Sequence, residues 1–70
     1  MKTKTRKLRT EKGLTQKALS ARSYISERQI IRIENNKSNP TMTTLENIAS
    51  ALGVTIGELL GEEENIKKAR

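Results

Sequence analysis

The chain has 70 residues, the size of one small domain, and its 14 Lys and Arg outnumber 8 acidic residues, for a formal net charge of +6. It contains no Cys, His or Asp, so the usual zinc sites, calcium loops and nucleophilic triads cannot be assembled from this chain alone. Tyr24 is the single aromatic residue, which argues against modules that stack bases on aromatic platforms. We therefore expect a non-enzymatic domain with no metal or cofactor, and a polyanion as its partner.

The first two predicted helices lie on either side of Gly13. Residues 3–12 are mostly compatible with a helix, and a glycine just past the end is a common helix stop. Leu8 is the strong apolar anchor of this helix, so we expect its first turn to fray. Thr15 can cap a second helix over residues 16–22.

The third predicted helix covers about residues 27–35. Ser26 and Gln29 have the spacing of a capping box, which favours a helix over a strand for the isoleucine-rich run that follows. At about 100° per residue, Ile30 and Ile33 lie on one side of this helix. The opposite side carries Glu27, Arg28, Ile31 and Arg32. Asn36 can take the left-handed conformation that ends a helix.

Beyond Pro40 the sequence predicts two more helices and a tail. The apolar residues of the fourth helix follow the i, i+3, i+4, i+7 rule, and either Thr41 or Thr43 can cap it. Those apolar residues are Leu45, Ile48, Ala49 and Leu52. Gly53 ends that helix, and Thr55 and Glu58 form a capping box for a short fifth helix that Gly61 closes. We expect one domain over residues 1–61, and a charged tail over 62–70 with helical i, i+4 charge pairs and Ile66 as its apolar anchor.

The charge is unevenly distributed along the chain. Residues 1–37 contain eleven basic and three acidic residues, a balance of +8, whereas residues 38–70 have a balance of −2. A tight pair of helices, the second with an apolar inner face and a polar outer face, is typical of a helix-turn-helix. Since the major groove of DNA admits one α-helix, the basic half of the chain fits this polyanion.

A series of short motifs runs through residues 8–60. These motifs are Leu8-Arg9, Lys12 to Gln16, Ile25-Ser26, Ile30, Arg32 to Glu34, Asn39-Pro40, Thr44-Leu45, Ile48-Ala49, Ala51 to Val54 and Glu58 to Leu60. In their order and spacing, the sequence resembles the Cro and phage-repressor type of helix-turn-helix regulators, the xenobiotic-response-element family. The resemblance implies an all-α, compact five-helix domain of the lambda-repressor-like type, with helix 3 as the DNA reader.

The resemblance also implies roles for individual residues. Glu27, Arg28 and Arg32 match positions that face the groove, where a Glu can accept from cytosine and an Arg can bind guanine. Ile31 lies beside them, and either contacts a thymine methyl group or packs in the core or at an interface. Candidate contacts to DNA phosphates, for which a solvated surface is the alternative at each lysine, are Gln16, Lys17, Asn36 and Lys37.

Arg9 and Glu34 match an ion pair that ties helix 1 to the end of helix 3 in this family, and a contact from Arg9 to a DNA phosphate is the lesser alternative. The sequence also departs from the family pattern at the turn between helices 2 and 3. Tyr24 replaces the usual turn glycine, and Ser23 replaces an apolar residue. A positive φ is costly for tyrosine, so we expect a different turn or a different angle between the two helices. Lys4 and Thr5 leave helix 1 short of apolar contacts.

The residues and the resemblance together predict a sequence-specific regulator of transcription that binds double-stranded DNA as a homodimer and acts as a repressor. The first alternative is the DNA-binding end of a longer peptide-sensing regulator or an antitoxin-like protein with a toxin or effector-domain partner. The second alternative is a protein-interaction module with the same fold. No segment has the length and hydropathy of a signal peptide or a membrane span, so we expect no membrane partner and a bacterial or phage-derived protein of the cytoplasm and nucleoid.

Overall fold

The computed structural model describes residues 1–61, and within them it contains five α-helices and no strand. The helices are α1 (Thr5–Glu11), α2 (Gln16–Ser23), α3 (Glu27–Glu34), α4 (Met42–Leu52) and α5 (Ile56–Leu60). The predicted all-α, five-helix fold is confirmed. The tail over residues 62–70, with Ile66, lies outside the described residues.

Short polar side chains begin four of the helices. Thr15, Ser26, Thr41 and Thr55 each accept a hydrogen bond from the backbone N–H three residues later. Of the two caps that the sequence allowed for α4, Thr41 and Thr43, the structure has Thr41. At α5 the capping box is complete, because the Glu58 carboxylate also accepts from the Thr55 N–H. These local bonds satisfy backbone donors that a helix leaves without partners.

One apolar core joins all five helices. α2 packs against both α3 and α4, α4 packs against α5, and α1 packs against α3 and α4. The core consists of Leu19, Ile25, Ile30, Ile33, Leu45, Ile48, Ala49, Leu52 and Leu59. Because α2 and α1 pack against α3 and its isoleucines at 30 and 33 are buried, the opposite side of α3 faces outward.

Helix α1 differs from its prediction at its first turn. It begins at Thr5, two residues later than predicted, and Lys4 precedes it without a side-chain cap. The Thr5 side chain is fully buried, and its hydroxyl lies 2.7 Å from that of Thr3. The first turn is also fixed to α5, since the Lys4 N–H donates to the Leu59 carbonyl at 2.8 Å. Thr5 therefore occupies an interior position that the sequence pattern did not reveal.

Candidate nucleic-acid interface

Helix α3 divides into an inner and an outer face. Ile30 and Ile33 are fully buried, whereas Ile31 is 39% exposed. The charged residues of the outer face, Glu27, Arg28 and Arg32, are all exposed. The structure thus brings the four predicted base-reading side chains onto one accessible surface, with an apolar side chain among three charged ones.

The turn before α3 contains the two residues that depart from the family pattern. Tyr24 takes the left-handed conformation, with φ 61° and ψ 21°, and its side chain is 92% exposed. Buried Ser23 accepts from the Ile25 N–H at 3.3 Å, and the Ser20 hydroxyl donates to the Ile25 carbonyl at 2.6 Å. Two serine hydroxyls therefore hold a tight turn in which tyrosine adopts the positive φ expected of glycine.

The N-terminus of α2 lies beside the C-terminal end of α3. Thr15 caps the Ala18 N–H, and Lys17 is exposed. The Gln16 side chain is half-buried, and its amide donates to Glu34 Oε1 at 3.1 Å. The end of α3 thus fixes the orientation of Gln16, a contact that the sequence analysis did not foresee.

Glu34 accepts hydrogen bonds from several donors in the interior. Arg9 Nε and Nη2 donate to its two carboxylate oxygens at 2.6 and 3.1 Å. Arg6 Nε lies 3.5 Å from Oε1, but the Arg6 side chain is 57% exposed, whereas that of Glu34 is fully buried. Burial alone would raise the pKa of Glu34, but the hydrogen bonds from Arg9 and Gln16 and the charge of Arg9 lower it. The carboxylate therefore stays ionised and connects α1, α2 and α3.

Arg6 is one of the eleven basic residues in the first 37 positions, and the sequence alone indicated no individual role for it. Its Nη2 donates to the Asn35 side-chain oxygen at 2.7 Å, beyond the last residue of α3. Arg6 and Arg9 are three residues apart on α1, and therefore on one face of that helix. This spacing is the sequence signal that could have identified Arg6 as a second contact from α1 to α3.

The loop after α3 carries the remaining predicted phosphate contacts. Asn36 has a φ of 58°, and both it and Lys37 are exposed. The Lys37 carbonyl accepts from Arg32 Nη2 at 2.9 Å. This hydrogen bond connects the loop to the outer face of α3. The exposed residues of the loop therefore extend that face beyond the end of the helix.

The described part of the chain was also searched for a group of side chains that could bind a metal ion. Residues 1–61 include no group of three or more carboxylates that could hold a metal ion. Within these residues, Glu34 forms an ion pair with Arg9, and Arg6 lies at the edge of that pair.

Comparison with known proteins identifies the family. The family model described as "Helix-turn-helix" matches residues 6–59, which include all of α2 to α4 and nearly all of α1 and α5. An uncharacterised helix-turn-helix transcriptional regulator, y4dJ of Sinorhizobium fredii, is 46% identical over 54 residues, which are 77% of this chain and 70% of that protein. The chain therefore belongs to the helix-turn-helix family.

Two further relatives are longer proteins. The immunity repressor of Bacillus phage phi105 is 38% identical over 61 residues, 87% of this chain and 42% of that protein. The transcriptional activator BcrR of Enterococcus faecalis is 42% identical over 66 residues, 94% of this chain and 32% of that protein. The chain thus corresponds to less than half of these two relatives. A search of solved structures found no significant match.

Proposed function

We propose that this helix-turn-helix protein is a sequence-specific regulator that binds double-stranded DNA and reads its bases with the outer face of α3. The observation that carries the proposal is the division of α3. Its isoleucines at 30 and 33 are fully buried, while Glu27, Arg28 and Arg32 are exposed. A helix held by one face and charged on the other can enter the major groove without losing its packing.

Each exposed side chain of α3 has a chemical counterpart on a base edge. Arg28 and Arg32 can donate two hydrogen bonds to O6 and N7 of guanine, and Glu27 can accept from N4 of cytosine. Ile31 offers an exposed apolar surface to a thymine methyl group. Glu27 and Arg28 lie in the first turn of α3, where recognition helices contact bases.

Two groups of candidate phosphate contacts lie near the C-terminal end of α3, at the start of α2 and in the loop after α3. At α2, Thr15 occupies the Ala18 N–H, which leaves the N–H groups of Gln16 and Lys17 to an anion at the positive end of the helix dipole. After α3, exposed Asn36 and Lys37 can reach phosphates that border the groove.

We further propose that the protein binds as a homodimer to two half-sites about one helical turn apart. Ile56 and Leu60 of α5 pack against the core but remain partly exposed, so they offer an apolar surface to a second copy. A bound dimer would repress transcription by occupying the promoter.

This proposal places the protein in the bacterial cytoplasm, on the nucleoid. None of the helices in residues 1–61 is long and apolar enough to cross a membrane.

A second candidate is favoured by the length of the relatives. Since the chain covers only 42% of the phage repressor and 32% of BcrR, the same reading domain can be joined to further domains. In that case α3 would have the same role, and the attached domain would determine the effector and the direction of regulation.

Selection of bound sequences from a random DNA duplex pool tests the proposal. We expect a recurring motif with two-fold symmetry, and an affinity that falls with salt at a log–log slope of about −0.9 per neutralised phosphate. Arg28→Ala should weaken binding to the selected site by about 1–3 kcal/mol. Arg22→Ala is the matched control, because it removes an exposed arginine in the last turn of α2. This variant should keep the wild-type preference for the selected site over other duplexes. Failure to enrich any motif, with equal binding to all duplexes, would refute the proposal.

A further inference from the structure

The C-terminal end of α3 is closed by two backbone hydrogen bonds around Asn36. The Lys37 N–H donates to the Arg32 carbonyl at 2.8 Å, and the Asn36 N–H donates to the Ile33 carbonyl at 3.1 Å. This is the Schellman arrangement, which requires a left-handed residue at the position of Asn36. Asn36 satisfies it with a φ of 58°.

The Arg32 side chain strengthens the same closure. Its Nη2 donates to the Lys37 carbonyl at 2.9 Å. Arg32 and Lys37 are therefore bonded in both directions, once through the backbone and once through the guanidinium. The direction of the Lys37 carbonyl, and with it the position of the guanidinium, depends on the left-handed backbone at Asn36.

Helix α1 ends in the same way. Gly13 has a φ of 70°, the Leu14 N–H donates to the Arg9 carbonyl at 3.0 Å, and Arg9 Nη1 donates to the Leu14 carbonyl at 2.8 Å. With one nitrogen fixed by that carbonyl, Arg9 uses Nε and Nη2 to bind both carboxylate oxygens of Glu34. Arg9 thus shows how an arginine near the end of a helix can bind a loop carbonyl with one nitrogen and a pair of acceptor oxygens with the other two.

Arg32 shares the bond to the loop carbonyl, although it donates through Nη2 where Arg9 donates through Nη1. Arg32 is exposed, and no carboxylate in residues 1–61 forms an ion pair with it. Guanine presents O6 and N7 as two adjacent acceptors, which an arginine binds with two parallel hydrogen bonds as it does a carboxylate.

We propose that Asn36 is a specificity-determining residue that positions Arg32. Its left-handed backbone directs the Lys37 carbonyl towards the guanidinium, which then presents its other N–H groups to a guanine. The proposal rests on the proposed function, and it assigns to Asn36 a role distinct from a phosphate contact. A phosphate contact needs the Asn36 amide, whereas positioning of Arg32 needs only its backbone conformation.

Substitutions at residue 36 separate these two roles. Asn36→Gly removes the amide but accepts a positive φ, whereas Asn36→Val opposes it because a β-branched residue is strongly disfavoured there. Arg32→Ala removes the guanidinium and identifies the base pair that Arg32 reads. Each variant is taken through the duplex selection, and thermal unfolding monitors its fold. If Asn36→Val is unfolded, Asn36→Ala takes its place.

We expect the wild type to prefer guanine at one position of each half-site by about 5- to 150-fold. Arg32→Ala and Asn36→Val should lose this preference at that position and keep the base preferences at the other positions. Asn36→Gly should keep it, even if the loss of the amide lowers affinity equally for all sequences.

Two results would overturn the inference without affecting the proposed function. One is a selected motif in which Arg32→Ala changes no base preference. The other is an Asn36→Val or Asn36→Ala variant, folded, that keeps the guanine preference which Arg32→Ala loses. By contrast, a wild-type protein that enriches no motif refutes the proposed function itself.

Discussion

Replacing Arg9 with methionine should test how strongly the buried ion pair stabilises the fold. The substitution keeps an unbranched side chain but removes three hydrogen bonds, two to Glu34 and one to the Leu14 carbonyl. Breaking a buried pair by removing one partner costs about 3–5 kcal/mol. Because Gln16 and Arg6 still contact Glu34, we expect about 3 kcal/mol, out of roughly 4–10 kcal/mol for a chain of this size. At about 4–8 °C per kcal/mol, the melting temperature should fall by roughly 12–24 °C.

Urea and thermal unfolding followed by circular dichroism measure this loss. Arg6→Met is the matched control, since it removes a mostly exposed arginine 3.5 Å from the same carboxylate and should cost less than about 1 kcal/mol. The double variant Arg9→Met with Glu34→Leu should recover much of the loss, because no buried charge is left unpaired. An Arg9→Met variant no less stable than Arg6→Met would refute this reasoning.

The same pair predicts how stability depends on pH. The folded-state pKa of Glu34 is lowered, so its contribution is present above the unfolded-state value of about 4.3 and is lost as pH falls through the lower folded-state pKa. The difference in unfolding free energy between the wild type and Glu34→Gln should therefore be constant above about pH 5 and shrink below about pH 4. A difference that grows on acidification would mean that the pKa is raised.

Three further predictions concern local structure, and denaturant unfolding measures each. Tyr24→Gly should stabilise the domain by about 1 kcal/mol, because glycine adopts the left-handed backbone conformation without the steric cost that tyrosine has there. Tyr24→Phe should change stability little, since the ring is 92% exposed. A destabilising glycine would show that the tyrosine side chain contributes to the fold. Thr41→Ala should cost about 1 kcal/mol through the lost cap, and Thr43→Ala, in the first turn of the same helix, should cost clearly less; equal costs would contradict the assigned cap. Ser23→Ala should cost about 1–3 kcal/mol by leaving the buried Ile25 N–H without its acceptor, and an unchanged stability would mean that this bond is dispensable.

The sequence predicted those features of the fold that depend on neighbouring residues. The caps at Thr15 and Thr55 and the left-handed Asn36 lie where they were expected, because each depends on a few consecutive residues. The buried face of α3 was also predicted, since helical periodicity alone separates Ile30 from Ile31.

The features that escaped prediction depend on how the helices meet. Thr5 is buried because α1 packs against α3 and α4, whereas its composition alone suggested a poorly packed first turn. The Gln16 amide binds Glu34 because the start of α2 lies beside the end of α3, a contact between residues 18 positions apart. At Tyr24 the departure from the family's glycine led us to expect a different turn or a different angle between α2 and α3. The turn itself is kept, because tyrosine adopts the positive φ and two serine hydroxyls hold the adjoining backbone.

The backbone hydrogen bond from Lys4 to Leu59 has a consequence for the order in which the domain opens. Gly61 lies against the Lys4 side chain, since a Cβ there would be 3.1 Å from Lys4 Cε. The start of α1 and the end of α5 are therefore one contact region made by distant parts of the chain. In native-state hydrogen exchange, the Lys4 amide should become accessible together with the amides of α5, as one sub-global unit. Any event that detaches α5 would thus loosen α1, whereas the contact between α2 and α3 could remain intact.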